Sequence, residues 1–399
     1  MYFIPDILFA TLLITVLACA GWDWRRKRLR PDDLPALTVI VPCYNDAATV
    51  GKTLRSIFAV YPADKLDVVA VDDGSSDHSL DAIREAAESW PIRVMVNPQN
   101  VGKVESLNRG MREARHALIL CLDADTMINR EALNDMIARM HTTAKLGAVS
   151  CPYRPANKGF LAAMQGMEYS MLRIAQGAGN MTSALALWGG CLMVRRQAFD
   201  AVCGFSKRAI TEDVELAFKL NQAGWKVEQS FVFVESYVPV SWRQWFRQKI
   251  RWTAGGFQCV MHYPAVWIRN PIQVLFISSY ALLALTRIVA LSSDYSMFHI
   301  VDHAADMMAD GAQWKSVWHA LDYYYGEILP VKILLGIGYN LISVIYILPF
   351  VSSVRDMLRV GLVIPFSMGY FPLYMLVSLC GLLFWFTALR RLPASERAW

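Results

Sequence analysis

The chain has 399 residues, length enough for about two domains. Hydrophobic residues make up 55% of it and charged residues 18%, with mean hydropathy +0.30. That is too apolar for an ordinary soluble enzyme and too charged for an all-helical membrane bundle, whereas a soluble domain joined to membrane helices fits both values. The net charge of +5 is modest and sits largely beside apolar runs. Anionic lipid headgroups are therefore expected as partners, and nucleic acid is not.

Residues 3–22, "FIPDILFATLLITVLACAGW", are nearly all apolar and long enough to span a bilayer. "RRKRLR" follows directly. A secretory signal would carry its cations before the apolar core and end in a small-residue cleavage site. The expectation is an uncleaved anchor over 1–24 with its C-terminal side in the cytoplasm.

Over about 35–237 the pattern changes. Short β-branched runs ("LTVIVP", "LDVVAVDD", "IRVMVN", "ALILCLDAD", "LGAVSCP") alternate with helix-like stretches ("AATVGKTLRSIFAVY", "SLDAIREAAESW", "KVESLNRGMREAR", "REALNDMIARMH"). Strand and helix in turn, with strands of buried type, predict a parallel α/β sheet. Ligands of such sheets sit beyond the C-terminal strand ends. The eight cysteines are scattered, form no C-x-x-C pair and lie mostly in apolar runs, so neither a disulfide framework nor a zinc cluster is expected.

An amphipathic interface helix is expected over 238–262. Candidate membrane spans follow at 271–292 and within 330–391. The intervening loop, 293–329, carries six acids and one lysine, as befits a non-cytoplasmic side. In that loop His299, His303 and Asp306 fall on one helical face, a spacing that also suits a solvated amphipathic segment.

Four clusters carry candidate chemistry. "VVAVDDGSSD" ends a buried strand in Asp72 and Asp73, which could accept a base N–H; Asx turns have the same look. "ALILCLDADT" places Asp123 and Asp125 where two carboxylates can approach one hard cation. In "AITEDVELAFKLNQAGW", Thr211 can N-cap a helix whose first turn holds Glu212 and Asp213, and Asp213 could serve as a general base. In "QKIRW", Gln248, Arg251 and Trp252 share a helix face, suiting phosphate and sugar or base contacts as well as an interfacial helix.

Together with "VIVPCYND", "NVGKVESLNRG" and "WGGCLMVRRQAF", these clusters resemble, in order and spacing, the processive family 2 glycosyltransferases. That group includes bacterial cellulose, hyaluronan, chitin-oligosaccharide and poly-N-acetylglucosamine synthases. The resemblance covers roughly residues 35–260 with flanking helices. It implies a GT-A α/β nucleotide-diphospho-sugar transferase domain combined with transmembrane and interface helices, in the bacterial inner membrane, with the catalytic domain cytoplasmic. It further implies that Pro42, Tyr44, Asn45, Asp72 and Asp73 line the uridine pocket, with Asp73 chosen for the base contact, and that Lys103 lies near the nucleotide. Asp123 and Asp125 would bind Mg2+ or Mn2+, Asp123 also touching the donor. Asp213 would be the general base, with Glu212 beside it. Gln248, Arg251 and Trp252 would close over the diphosphate and the acceptor end. Trp188, Gly189, Gly190 and Cys191 would shape the acceptor site.

The implied reaction is inverting transfer from a UDP-sugar, UDP-N-acetylglucosamine by resemblance, to a growing β-linked polysaccharide that passes through the membrane. An accessory membrane or export subunit is an expected partner, since no regulatory domain follows the last apolar stretch. Two other readings stand beside it: a transferase adding one sugar to a lipid, and a membrane scaffold with a non-catalytic domain. The intact carboxylates speak against the scaffold.

Overall fold

The computed structural model describes residues 34–268, 270 and 370–386, with scattered positions between 14 and 25. The expected span at 271–292, the acidic loop 293–329 with His299, His303 and Asp306, and most of 1–24 and 330–391 lie outside the described residues. Among the described residues, no helix is long and apolar enough to cross a membrane.

A seven-stranded sheet forms the frame, in the order β3-β2-β1-β4-β8-β6-β9. Its strands are β1 (Leu37–Cys43), β2 (Leu66–Asp72), β3 (Ile92–Val96), β4 (Leu118–Leu122), β6 (Leu146–Ser150), β8 (Cys191–Arg195) and β9 (Lys226–Gln229). β1 is buried along its whole length because both sheet faces are covered. Its residues alternate between two cores: Val39 and Val41 join one, Ile40 the other. β2 does the same, with Val68 and Ala70 facing one way and Val69 and Val71 the other. The covering helices include α1 (Val50–Val60), α2 (Ser79–Ser89), α3 (Lys103–Glu113) and α4 (Arg130–Thr142). The expected strand and helix runs match these elements to within a few residues.

The parallel expectation needs one correction. β3-β2-β1-β4 are parallel, as are β6 and β9, but β8 runs antiparallel to both β4 and β6. The chain reaches β8 after a long excursion through α5 (Phe160–Ala178), and enters the sheet from the end at which β4 leaves it. Leu122, the last residue of β4, pairs with Cys191, the first of β8. The turn before β8 therefore adjoins the residues after β4, and Asp123 N donates to Gly190 O at 3.0 Å.

A small second sheet, β5 (Thr126–Met127), β10 (Val234–Ser236) and β7 (Tyr153–Pro155), braces that corner. Thr126 Oγ1 donates to Ser236 Oγ at 3.0 Å. After α6 (Arg196–Ala201) come α7 (Glu212–Gln222), α8 (Trp242–His262) and the short α9 (Pro264–Ile268). α8 begins later than the expected 238: Ser241 and Gln244 close a capping box, and Val238–Val240 precede the helix. The described C-terminal helix is α10 (Phe371–Phe384), and just beyond it Trp385 packs edge-on against Phe257 of α8, ring centroids 5.2 Å apart.

One buried ion pair locks α8 to α5. Lys249, 0% exposed, donates to Glu168 Oε1 at 2.6 Å. Its Nζ also lies 4.0 Å from the centroid of the Trp252 ring. Removing one member strands the other charge. Lys249→Met alone is expected to cost about 3–5 kcal/mol. The double change Lys249→Met with Glu168→Leu should recover most of that loss in thermal melts of the detergent-solubilised chain.

Candidate active site

Three strand ends and two helix starts meet at one edge of the large sheet. Pro42, near the end of β1, is buried; Tyr44 just beyond the strand is 46% exposed. Asn45 takes φ 57°, a left-handed conformation that asparagine tolerates. Its side-chain oxygen accepts from Ser76 N at 2.9 Å, and its own N–H donates to Ser75 Oγ at 3.1 Å. So Asn45 bridges two turns. Gly74, at φ +69°, passes so close to the next loop that a Cβ would fall 2.6 Å from the Gln99 carbonyl carbon.

The Asp73 carboxylate is engaged at both oxygens. Oδ1 accepts from Asn97 Nδ2 at 2.7 Å and Val101 N at 3.0 Å, and Oδ2 from Gly102 N at 2.9 Å. It anchors the turn that launches α3. Asp72 is the opposite case. Its Oδ2 accepts from Ser75 N at 3.3 Å, while its Oδ1 is buried with no hydrogen-bond partner. A buried acceptor without a donor is costly.

The centre is a cluster of charges. Lys103, at the start of α3, lies 2.6 Å from Asp123 Oδ1 and 3.4 Å from Glu212 Oε1. Burial works against the lysine charge, but Asp123 and Glu212 more than offset it and drive its pKa upward. Burial alone would raise Glu212; Lys103 and Arg251 outweigh it and hold Glu212 low. Asp213 next to it is pushed up to about 6, by burial first and by the Glu212 charge second, with Lys103 and Arg251 opposing. Its Oδ2 accepts from Gly189 N at 2.9 Å. Thr211 occupies the N-cap position of α7, but its hydroxyl makes no capping bond and is buried without a partner, contrary to the expected cap.

Asp125 is pushed up to about 7, by burial and then by the charges of Asp123 and Asp46. That surplus of negative charge suits a divalent cation. Among the described residues no group of three or more His, Cys, Asp or Glu side chains could hold a metal. Asp123 and Asp125 would offer two carboxylates, the number Mg2+ takes before it completes its shell with phosphate and water.

The acceptor-side expectations divide. Gly190 N donates to Tyr153 OH at 2.5 Å, and a Cβ on Gly190 would press on that hydroxyl and on Asp123 Oδ2. Trp188 is 5% exposed, and its indole Nε1 is buried with no partner. It packs edge-on with Tyr153 and Tyr169, at 4.8 and 5.5 Å between centroids, and Tyr169 meets Trp252 at 6.1 Å. Cys191 is wholly buried within β8 among core residues and contributes no surface to the site. Gln248, Arg251 and Trp252 stand at i, i+3 and i+4 on α8, all half-buried. Gln248 Oε1 is buried without a partner, and the Arg251 guanidinium makes no ion pair among the described residues.

Sequence reasoning missed Tyr153, Asp46 and the Glu168–Lys249 pair. Tyr153 follows a strand end in "SCPYRP", so the rule applied to the aspartates could have found it. Its hydroxyl pKa is driven well above the usual value, by burial first and then by the Asp123 and Asp213 charges, so it stays neutral.

Residues 38–203 match the family described as Glycosyl transferase family 2. The chain is 27% identical over 241 residues to a protein of Staphylococcus aureus named poly-beta-1,6-N-acetyl-D-glucosamine synthase, covering 59% of this chain and 58% of that one. It is 28% identical over 256 residues to "Probable glycosyltransferase YdaM" of Bacillus subtilis, covering 62% and 60%. The match thus spans less than two thirds of these relatives' length. Among solved structures, the mannosyltransferase PcManGT of Pyrobaculum calidifontis, in complex with GDP-Man and Mn2+, superposes with TM-score 0.59 at 20% identity, covering 95% of this chain and 97% of that one. That likeness establishes the GT-A-type α/β fold.

Proposed function

We propose that this chain, whose residues 38–203 match the Glycosyl transferase family 2 model, extends a β-linked polysaccharide by inverting transfer from a UDP-sugar. The proposed donor is UDP-N-acetylglucosamine, supported by the name of the S. aureus relative. Passage of the polymer through a bacterial inner membrane, with the catalytic domain cytoplasmic, belongs to the same proposal and is supported by the apolar stretches of the sequence.

The observation that carries the reading is the state of Asp213. A general base must be a carboxylate with a pKa near the working pH and a fixed direction. Asp213 has its pKa pushed up to about 6 and its Oδ2 pinned by Gly189 N–H. In the proposed reaction it takes the proton from the acceptor hydroxyl as that oxygen attacks the anomeric carbon. Arg251, with no ion pair among the described residues, meets the departing diphosphate. Lys103 keeps its charge beside Asp123 and Glu212 and adds a second cation for it. Asp72 and Asp73, side by side where β2 ends, are the candidates for the base N–H. Asp123 and Asp125 would hold Mg2+ or Mn2+, which when bound neutralises charge on the leaving diphosphate. Half-buried Trp252 and Tyr153 offer the acceptor sugar apolar faces, with Tyr169 and Trp188 buried behind them.

The test is UDP release by the purified full chain, with and without divalent cation, across a panel of UDP-sugars, with sizing of the product. One active donor and a long product support the reading. A single sugar on a lipid replaces it with the lipid transferase.

The same carboxylate sets a pH profile. Protonation removes the base, so kcat/KM should fall as pH drops through about 6, and Asp125, pushed up to about 7, adds to the same limb. The groups facing Asp213 (Glu212, Lys103, Arg251 and Tyr153) do not change charge in the direction that would hide this limb: Glu212 is held low and Lys103 and Tyr153 high, while a guanidinium keeps its charge throughout. Initial rates between about pH 5 and 8 check it.

A further inference from the structure

Asp23 lies next to the apolar stretch 3–22 in sequence, yet its side chain is 0% exposed and bound inside the catalytic unit. Its Oδ2 accepts from both terminal nitrogens of Arg139 at 3.2 Å and from Asn180 Nδ2 at 2.8 Å. Arg139 in turn reaches Asp135 at 2.7 Å and Glu228 at 3.0 Å.

From Asn180 the bonds continue toward the active site. Asn180 Oδ1 accepts from Gln229 N at 2.7 Å. Gln229 Oε1 accepts from Ser150 Oγ at 2.9 Å, and Ser150 Oγ accepts from Trp188 N at 2.9 Å. The amide nitrogen of Gln229 also donates to Ala186 O. The next N–H along, that of Gly189, is the one holding Asp213. Asp23, Arg139, Ser150, Asn180 and Gln229 are each 0 or 1% exposed.

A chain of buried polar groups is costly wherever one link is missing. Apolar residues would fill the same space without that exposure to loss. The links also have a direction: from Asn180 through Gln229 and Ser150 they lead to the 186–190 turn. We propose that Asp23, Asn180, Gln229 and Ser150 are positioning residues, a buried relay that fixes the 186–190 turn, and through it the Asp213 carboxylate, to the segment carrying Asp23. The role in turnover rests on Asp213 being the general base; the coupling from Asp23 to the turn does not. Because Asp23 immediately follows the apolar stretch, the geometry of the base then depends on how that stretch is held.

The experiment uses the full chain in detergent or nanodiscs, as wild type, Ser150→Ala, Ser150→Thr and Asp23→Ala. Amide hydrogen exchange is followed over 186–190, alongside kcat and donor KM. Loss of one buried link is worth about tenfold. Ser150→Ala and Asp23→Ala, which removes the acceptor of Asn180 Nδ2, are expected to speed exchange in that turn and to lower kcat by about that factor, with donor KM within about twofold. Ser150→Thr, which keeps the hydroxyl, should restore both. Unchanged exchange at 186–190 in Asp23→Ala would overturn the relay. Faster exchange with unchanged kcat would overturn the positioning role. Should Asp23→Ala lose protection throughout the domain, Ser150→Ala and its threonine rescue decide. A wild type with no turnover on any UDP-sugar would sink the functional reading instead, while the exchange arm still decides the relay.

Discussion

Asp213→Asn is expected to lower kcat by about 10²–10⁴-fold, the usual contribution of a positioned general base. UDP affinity should stay within about twofold, because the change spares every group assigned to the nucleotide. Asparagine is close to isosteric and keeps an oxygen to accept the Gly189 N–H. The fold should therefore survive, and the loss would report on proton transfer. A substitution that abolished UDP binding as well would mean that Asp213 holds the donor. Calorimetric UDP binding beside single-turnover rates separates the two.

The second large effect comes from a residue with no side chain. An ideal Cβ on Gly189 would lie 2.7 Å from Asp213 Oδ2 and 3.1 Å from its Cβ and Cγ. No rotation of a flexible tip relieves that, since the near atoms run back to the Asp213 Cβ. Gly189→Ala must push the carboxylate off its N–H donor. Misplacement of a reacting group by about 1 Å can cost about 10²-fold in rate. The expected result is a fall in kcat of that order, with donor KM nearly unchanged. Gly256→Ala, on the same unit but with nothing within 4 Å of its Cβ, is the matched control and should be nearly neutral. Activity of Gly189→Ala within about threefold of wild type would contradict the assigned geometry.

Much of this site was legible because parallel strands deliver their next residues to one edge. "DDGSSD" and "DADT" announce themselves as acids directly after buried runs. The QKIRW stripe was legible from helical spacing alone. The features that stayed hidden depend on pairing between distant segments. The direction of β8 is set by the path through α5, and α5 itself has little periodicity: small, Met and apolar residues cover its several buried faces. The choice between Asp72 and Asp73 turns on which oxygen the 97–102 turn consumes. Two adjacent aspartates look alike until Asn97, Val101 and Gly102 are seen on one of them. Thr211 matched a capping pattern, but its hydroxyl is buried and makes no capping bond. Lys249 looked like one more interfacial cation. Its partner Glu168 lies 81 positions earlier, on the helix that the sequence did not reveal.

The lysine also bears on why QKIRW is one unit. The Arg251 charge acts on Glu212 and Asp213 and Trp252 lies against Tyr169, while Lys249 turns inward and clamps the same helix turn to α5. Its ammonium sits over the Trp252 ring and so helps fix the orientation of the indole. The stripe and its anchor are thus interleaved in five residues.

The most direct test of the central claim, single displacement with Asp213 as base, is the anomeric configuration of the first bond formed from an α-linked UDP-sugar. Proton NMR of the early product gives it from the anomeric coupling constant. Single displacement requires a β linkage, with inversion. An α-linked product would contradict it, since one in-line displacement inverts the anomeric carbon.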